Sequence, residues 1–245
     1  MSSMNLLLLA DGRFPAGGHA HSGGMETAIA VGAVKDLPTL TAFLTGRLAT
    51  AGLATAGLAA ASCTLIHPWD ELDAEADART PSPALREVSR KQGRQLLRTA
   101  RALWAGSILD GLASSTRHAQ SPAGPEGATN AGPTCPATPA PAGPHHPVAL
   151  GAAAAAAGLK PLDAARATVF NAVTGPASAA VRLLGLDPVT VHRLLAQMAA
   201  EMDDTAHRGA AAAAGPVSEL PCPGSVLLDL YAQQHAESEM RLFAS

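Results

Sequence analysis

Apolar residues recur at every third or fourth position through most of the chain, which is the spacing of amphipathic helices. Leu40, Leu44 and Leu48 form one such stripe. No segment alternates convincingly between apolar and polar residues, so strands are not expected. The pattern predicts an all-α protein, a single domain over 1–245 built as a bundle of about eight to ten helices.

Residues that start and stop helices divide this pattern. Asp36 can cap a helix with Pro38 in its first turn, and His67-Pro68 ends the helical pattern that follows. Gly185 is expected to stop a helix and Asp187-Pro188 to start the next. The remaining predictions are helices over 83–112, 148–159, 161–174, 177–184 and 225–235, an interruption at Gly175-Pro176, and a loop over 206–216.

The segment 114–147 has a different composition. It contains eight prolines among Gly, Ala, Ser and Thr, and its charged residues are Arg117 and Glu126. Such a segment buries too little apolar area to offset the entropy lost on ordering. We therefore expect a flexible Pro/Gly/Ala-rich insertion, with His145-His146 near its end as a weak candidate for metal binding.

Composition limits the classes of function. Apolar residues make up 47% of the chain but aromatic residues only 3%, so the core must consist of Ala, Leu and Val. The net charge of −3 gives no general attraction to nucleic acid or to anionic lipid. Cys63, Cys135 and Cys222 are far apart, which favours neither a disulfide framework nor a thiolate metal site and suits a cytoplasmic location.

One uncharged stretch, 48–66, is long enough in principle to span a bilayer. It is dominated by Ala, Gly, Thr and Ser, which contribute little to membrane insertion. A buried helix is therefore expected there, and no membrane partner. The N-terminus has no basic segment before its apolar run, so a signal peptide is not expected.

Two charged stretches are candidate surfaces. The segment 69–78 carries five acidic residues, for which a solvated helix face is the default and metal capture the alternative. Arg90, Arg94, Arg98 and Arg101 are spaced to form one helical stripe. That stripe is either solvated or docks an acidic partner, whereas nucleic acid is disfavoured because no aromatic residue interleaves with the arginines.

The loop 11–26 concentrates residues that carry chemistry. It holds five glycines, two histidines, a serine and two carboxylates directly after a short apolar run. His19 and His21 form an HxH pair that could bind a divalent metal with Glu26 or a second chain as a further ligand. The alternative is a turn between two helices with incidental histidines.

Several enzymatic motifs are absent from the sequence. It contains no GxxxxGK[ST] phosphate loop, no GxSxG nucleophile elbow and no HExxH pair. No residue pattern therefore predicts an enzyme.

The two ends of the chain resemble the UreF family of urease accessory proteins. The family's N-terminal signature is an apolar run, Asp, Pro-x-Gly-Gly, His-Ser-x-Gly-Leu-Glu and Gly-x-Val, and its C-terminal signature is a His followed by RLF-x-S. The matching positions at the N-terminus are Asp11, Pro15, Gly17, Gly18, His21, Ser22, Gly24, Glu26, Gly32 and Val34. His235 and the segment 241–245 match the C-terminal signature. The internal matches are Ser89, Gly93 and Arg94, the segment 147–151, and the segment 179–183 that contains Arg182.

The resemblance implies a cytoplasmic, all-α protein that is not an enzyme. Members of the family act with UreD, also called UreH, and with the nickel-carrying GTPase UreG to deliver nickel to apo-urease. The implied protein tends to form a homodimer, binds UreD and creates the surface that receives UreG. It has been proposed to regulate GTP hydrolysis by UreG. It would hold no cofactor stably, although nickel in transit could pass along it.

The resemblance also suggests residue roles. The tail 241–245 would dock on UreD, with Leu242 and Phe243 as apolar anchors and Arg241 as a paired charge; the alternative is a frayed terminus. The loop 11–26 would order the dimer or the surface facing UreG through His21 and Glu26, although Glu26 could simply favour a helix N-terminus. The full set of expected partner-binding residues is Asp11, Pro15, Gly17, Gly18, His21, Ser22, Gly24, Glu26, Ser89, Gly93, Arg94, Arg182, His235, Arg241, Leu242, Phe243 and Ser245.

His19 departs from the family pattern, which usually has a bulky apolar residue there. The HxH pair is therefore not a family metal site, and His19 and His21 remain weak candidates for metal binding. A direct nickel carrier acting through His19 and His21 stays open as the alternative function. A third class, a helical module that binds a small molecule, is favoured by no specific residue.

Overall fold

The computed structural model describes residues 4–15, 21–118, 143–237 and 242–243. No strand occurs among these residues, and the prediction of an all-α fold is confirmed. The α-helices are α1 Met4–Ala10, α2 Met25–Ala30, α3 Leu37–Arg47, α4 Leu53–Thr64, α5 Trp69–Ala78, α6 Pro83–Leu103, α7 Ser107–His118, α8 His146–Ala156, α9 Pro161–Leu184, α10 Pro188–Gln197, α11 Ala199–Ala211 and α12 Val226–Glu237. A π-helical turn, Leu48–Gly52, joins α3 to α4, and a 3-10 turn, Val217–Glu219, precedes α12.

The centre of the bundle is α4, packed against α8, α9 and α11. These helices can approach closely because their facing residues are small. A Cβ added at Gly151 of α8 would lie 2.2 Å from the carbonyl oxygen of Ala59, and one at Gly209 of α11 would lie 2.9 Å from the Ala56 methyl. The expected core of Ala, Leu and Val is thus observed, and α4 and α8 are buried along most of their lengths.

The local start and stop signals behave as predicted at α3 and α10. Asp36 accepts a hydrogen bond from the Thr39 amide at 3.0 Å, and the Asp36 amide donates to the Thr39 hydroxyl at 3.1 Å. Asp187 likewise accepts hydrogen bonds from the amides of α10. Gly185 ends α9 at φ 65°, in the left-handed region that favours glycine.

The predicted interruption at Gly175-Pro176 is wrong, because α9 continues through it. A proline inside a helix leaves the carbonyl four residues earlier without its amide donor. Here that carbonyl belongs to Ala172, and the Arg47 Nε donates to it at 2.8 Å. A residue of α3 therefore replaces the missing hydrogen bond and lets the helix continue.

The single helix predicted over 83–112 is also wrong. The chain leaves the helical conformation at Trp104, where φ is −128°, and α7 begins after Gly106. The Trp104 ring stacks on Phe14, with ring centroids 6.1 Å apart and an interplanar angle of 8°. This tertiary contact removes Trp104 from the stripe that the apolar spacing suggested.

Three further boundaries differ from the predictions. Helix α4 stops at Thr64 rather than at His67-Pro68, and Leu65 adopts φ 61°. Helix α11 runs to Ala211, so only the later part of the predicted loop 206–216 is a loop. The predicted insertion 114–147 is shorter at both ends, since α7 extends to His118 and 143–147 packs against the bundle. The flexibility predicted for its middle, 119–142, lies outside the described residues.

Within the uncharged stretch 48–66, residues 48–64 form the π-helical turn and α4 and are mostly buried, whereas Leu65 and Ile66 are exposed. Across the described ranges, no helix is both long and apolar enough to cross a membrane.

Candidate functional site

The glycine-rich loop leads directly into α2, and its described residues contact the body of the same chain. Asp11 accepts a hydrogen bond from the Arg13 amide at 2.9 Å, and the carbonyl of Pro15 accepts one from the Thr99 hydroxyl at 2.7 Å. Gly17, Gly18 and His19 lie outside the described residues, so the HxH pair cannot be placed.

Glycine is required at the two positions before α2. Gly23 and Gly24 adopt φ 62° and φ 89°, which L side chains rarely adopt. A Cβ on Gly23 would lie 3.0 Å from Pro176, and one on Gly24 would lie 3.5 Å from Leu228. The double glycine therefore lets α2 start in close contact with both α9 and α12.

Arg47 of α3 stabilises this turn by hydrogen bonds. Its Nη1 donates to the carbonyl of Gly23 at 2.8 Å, while its Nε holds the carbonyl of Ala172 in α9. Burial lowers the pKa of Arg47 to about 10, so the guanidinium keeps its charge at neutral pH. One cation thus joins α3, the glycine turn and α9, a role that the sequence pattern did not reveal.

Glu26, in the first turn of α2, binds the C-terminal tail. Its Oε1 accepts a hydrogen bond from the Leu242 amide at 2.7 Å, and its Oε2 accepts one from the Phe243 amide at 3.2 Å. The amide of Glu26 itself donates to the buried Ser22 hydroxyl at 3.3 Å. The two ends of the chain, which carry separate motifs in the sequence, therefore form one structural unit.

His235 of α12 lies beside the same carboxylate, with its Nδ1 3.7 Å from Glu26 Oε2. Its side chain is 7% exposed, and its Nε2 has no hydrogen-bond partner among the described residues. A buried polar atom without a partner costs stability. Thr27 strengthens the same contact between α2 and α12 by donating to the carbonyl of Tyr231 at 3.2 Å.

The tail residues differ in exposure. Phe243 packs against the core, whereas Leu242 is 81% exposed. Of the two expected apolar anchors, only Leu242 is presented outward. Arg241 and Ser245 lie outside the described residues.

The internal motif Ser89, Gly93 and Arg94 contacts the segment that leads into α8. The Ser89 hydroxyl accepts a hydrogen bond from the His146 amide at 3.1 Å. A Cβ on Gly93 would lie 2.0 Å from the carbonyl oxygen of Pro144, and the Arg94 side chain passes over Gly143. These three residues hold the chain entering α8 against α6. A role of theirs in partner binding stays a prediction.

Next to this motif lies a partly buried charge network centred on Arg90, and it corrects the prediction of a solvated arginine stripe. Arg90 does not belong to a solvated stripe: its Nη1 donates to Asp73 at 2.6 Å and to the carbonyl of Gly143 at 2.7 Å. Its Nη2 donates to Asp77, also at 2.6 Å. Asp73 and Asp77 therefore do not simply face solvent; they join α5 to α6. The spacing of Asp73 and Asp77, four residues apart on one face of α5, was the signal in the sequence for a shared partner. That spacing did not identify Arg90 as the partner.

His145 completes the network. Its Nε2 lies 2.8 Å from Asp77 Oδ1, its Nδ1 lies 3.0 Å from the Ser89 hydroxyl, and its amide donates to Asp73 at 2.8 Å. Burial lowers the pKa of His145, although its hydrogen bond to Asp77 acts in the opposite direction. The pKa of Asp77 falls below its usual value because its bonds to His145 and Arg90 outweigh the effect of burial. A neutral imidazole therefore donates to an ionised carboxylate.

The structure thus places the predicted residues in two groups. One joins Ser22, Gly24, Glu26, His235, Leu242 and Phe243, and the other joins Ser89, Gly93 and Arg94. Arg182 belongs to neither group and is exposed near the end of α9. Within the described part of the chain, no three His, Cys, Asp or Glu side chains are arranged to hold a metal ion.

His146, the first residue of α8, makes the stability of the fold sensitive to acid. Burial lowers the pKa of His146 from 6.5 to about 4, and the nearby His21 adds to the shift. Because the unfolded chain takes up this proton at a higher pH than the folded chain, the stability contribution is complete above pH 6.5 and is lost as the pH falls towards 4. Between pH 7.5 and pH 5 the loss is about 2 kcal/mol.

Urea denaturation at the two pH values measures this loss. The His146→Gln variant should lose less stability than the wild type on acidification. His192→Gln, a change at an exposed histidine, should behave as the wild type does. Equal loss of stability in the His146 variant and the wild type would show that His146 is not the source of the acid sensitivity.

The fold and the site define an all-helical protein whose C-terminal tail is hydrogen-bonded to Glu26, at the end of its N-terminal loop. A profile of the UreF family matches residues 34–199. Urease accessory protein UreF of Mycolicibacterium vanbaalenii is 44% identical over 249 residues, covering 100% of both chains. Those of Mycobacterium marinum and Mycobacterium sp. strain JLS are 43% and 42% identical over 240 residues, covering 98% of this chain and 97% of each relative.

The chain belongs to the UreF family. It is a urease accessory protein and not an enzyme.

Proposed function

We propose that this protein is the scaffold on which UreD and the GTPase UreG assemble with apo-urease in the cytoplasm, so that nickel is inserted into the enzyme. The observation that carries the proposal is the unit formed by Glu26, His235 and the C-terminal tail. This unit joins the two motifs by which the chain resembles its family, and it presents an exposed Leu242. Family membership supplies the urease context.

The tail is the proposed docking element for UreD. Apolar side chains at the centre of an interface carry much of the binding energy when a partner pocket excludes water from them. Leu242 has the exposure that such an anchor needs, whereas Phe243 packs against the body and fixes the tail in place. UreG would join the same complex on a homodimer of the chain, where its GTP hydrolysis would be regulated. Nickel would pass through the assembly as cargo.

Deleting the tail tests the proposal. Purified UreD should be retained by the immobilised wild-type chain and should not be retained after removal of residues 241–245. The point variant Leu242→Asp should weaken retention by tenfold or more, which corresponds to about 1.4 kcal/mol, because it places a charge in an apolar pocket.

The matched control is Val189→Asp, which changes an apolar residue on α10 that is 67% exposed. This variant should retain UreD as the wild type does. Undiminished binding by the tail-deleted chain would overturn the docking assignment.

A further inference from the structure

The guanidinium of Arg47 has no carboxylate partner among the described residues. Its Nε and Nη1 donate to the carbonyls of Ala172 and Gly23, and its remaining N–H groups donate to no atom in that part of the chain. By contrast, the largely buried Arg79 and Arg90 each pair with a carboxylate of α5. Taking a charge out of water without an opposite charge costs free energy. Arg47 therefore has unused capacity to bind an anion.

The side chain of Arg47 lines a cavity of about 830 Å³ that is bordered by α3, α9 and α12 among other elements. A Cβ on Gly23 would lie 3.1 Å from the Arg47 Nη2, so the glycine leaves this side of the guanidinium uncovered. Each water molecule takes up about 30 Å³, which means that the cavity can hold a small ion together with water. The unused donors of Arg47 are therefore accessible to a ligand from within the cavity.

The charged side chains that line the cavity are mainly positive. Four of them are arginines and two are carboxylates: Arg13, Arg47, Arg79, Arg182, Asp11 and Asp229. Both carboxylates accept hydrogen bonds elsewhere, Asp11 from the Arg13 amide and Asp229 from the Ser82 amide. A cleft whose walls carry one predominant sign of charge concentrates ions of the opposite sign. The cavity as a whole therefore favours the entry of an anion.

We propose that this cavity binds a small oxyanion on Arg47, of the carboxylate, bicarbonate or phosphate type. A guanidinium suits such a ligand because its planar N–H donors match the spacing of carboxylate and phosphate oxygens. Arg47 joins α3, the glycine turn and α9, so a bound anion neutralises the charge at this junction and stabilises the folded chain. The inference goes beyond the proposed scaffold function and does not depend on it.

Titration of the full-length chain with sodium acetate, bicarbonate or phosphate, followed by NMR, tests the proposal. Sodium chloride keeps the ionic strength constant, so that general screening of charges does not change during the titration. The signals of the Arg47 Nε–H and of the Gly23 amide should shift to saturation with at least one of the three anions. The anions that reach saturation identify a planar, a tetrahedral or a general oxyanion site. No saturable shift with any of them would overturn the proposal.

Removal of the guanidinium tests whether Arg47 is the binding group. Arg47→Gln should weaken the affinity for the anion by about tenfold or more, measured through the Gly23 amide. The matched control is Arg13→Gln, because Arg13 is an exposed arginine that lines the same cavity. This control should change the affinity by no more than about twofold. Equal affinities of Arg47→Gln and the wild type, or equal losses in both variants, would overturn a site on Arg47.

A second pair of variants leaves Arg47 in place, because that residue also holds α9. Ala51 lies four residues after Arg47 and lines the same cavity, so Ala51→Glu places a carboxylate beside the guanidinium. This internal anion should weaken the binding of the added anion by about tenfold or more. Ala51→Gln, which adds a side chain of the same size without a charge, should stay within about threefold of the wild type. Equal affinities of the two Ala51 variants would overturn the proposal.

Discussion

Replacing Arg90 with alanine is expected to lower the free energy of unfolding by about 2–4 kcal/mol, because the change leaves charged partners without their cation. Arg90 holds Asp73, Asp77 and the carbonyl of Gly143 at 2.6–2.7 Å, and its side chain is only 10% exposed. The full cost of breaking a buried pair is not expected, since Asp77 is 42% exposed and solvent screens part of its charge.

Urea denaturation at neutral pH measures this loss. The matched control is Arg98→Ala on the same helix, where the arginine is exposed and the expected change is within about 0.5 kcal/mol. Arg90→Lys should fall between the wild type and the alanine variant, because lysine keeps the charge but cannot bridge two carboxylates with a planar fork. A loss below that of Arg98→Ala would show that the network does not stabilise the fold.

Replacing Gly93 with alanine is expected to destabilise the protein by about 3 kcal/mol or to prevent its folding, because overpacking against backbone cannot be relieved by a side-chain rotation. The added methyl would lie 2.0 Å from the carbonyl oxygen of Pro144 and 3.0 Å from the backbone of His145. To accept it, the chain entering α8 must move away from α6. That movement also pulls His145 from Asp77 and Ser89.

The control for this variant is expected to raise the free energy of unfolding rather than lower it. Gly46 in α3 has no atom within 4 Å of the position of an added Cβ, so Gly46→Ala should stabilise the protein by about 0.5–1 kcal/mol through helix propensity. Thermal unfolding of both variants separates close packing from propensity. A stabilised Gly93→Ala variant would contradict the contact between α6 and the start of α8.

The elements that could be predicted from the sequence are those with local causes. Asp36, Gly185 and Asp187 act on amides or dihedral angles within three residues of themselves, and each was placed correctly. The all-α fold follows from the spacing of apolar residues, which also acts over short distances.

The errors arise where a distant residue changes a local preference. Pro176 would end a helix on its own, but Arg47 of α3 supplies the missing hydrogen bond. Trp104 fits a helical stripe, yet it leaves the helix to stack on Phe14. Arg90 looked like part of a solvated stripe because its carboxylate partners lie on another helix.

The candidate site divides in the same way. Resemblance to a family selected Glu26, His235 and the tail, but no property of the sequence indicated that Glu26 binds the tail backbone across 216 positions of the chain. A hydrogen bond to a backbone amide leaves no side-chain signal in the sequence of the tail. Ser89 and Gly93 were also selected, and the structure gives them contacts within the chain that require no partner.

The central claim is that this chain supports urease maturation through its C-terminal tail. The most direct measurement is the activity and nickel content of urease produced in cells together with UreD, UreG and the wild-type chain, the chain lacking 241–245, or no chain. We predict that, of these three conditions, only co-expression with the wild-type chain yields active, nickel-loaded urease. Full activation by the tail-deleted chain, or without any chain, would contradict the account.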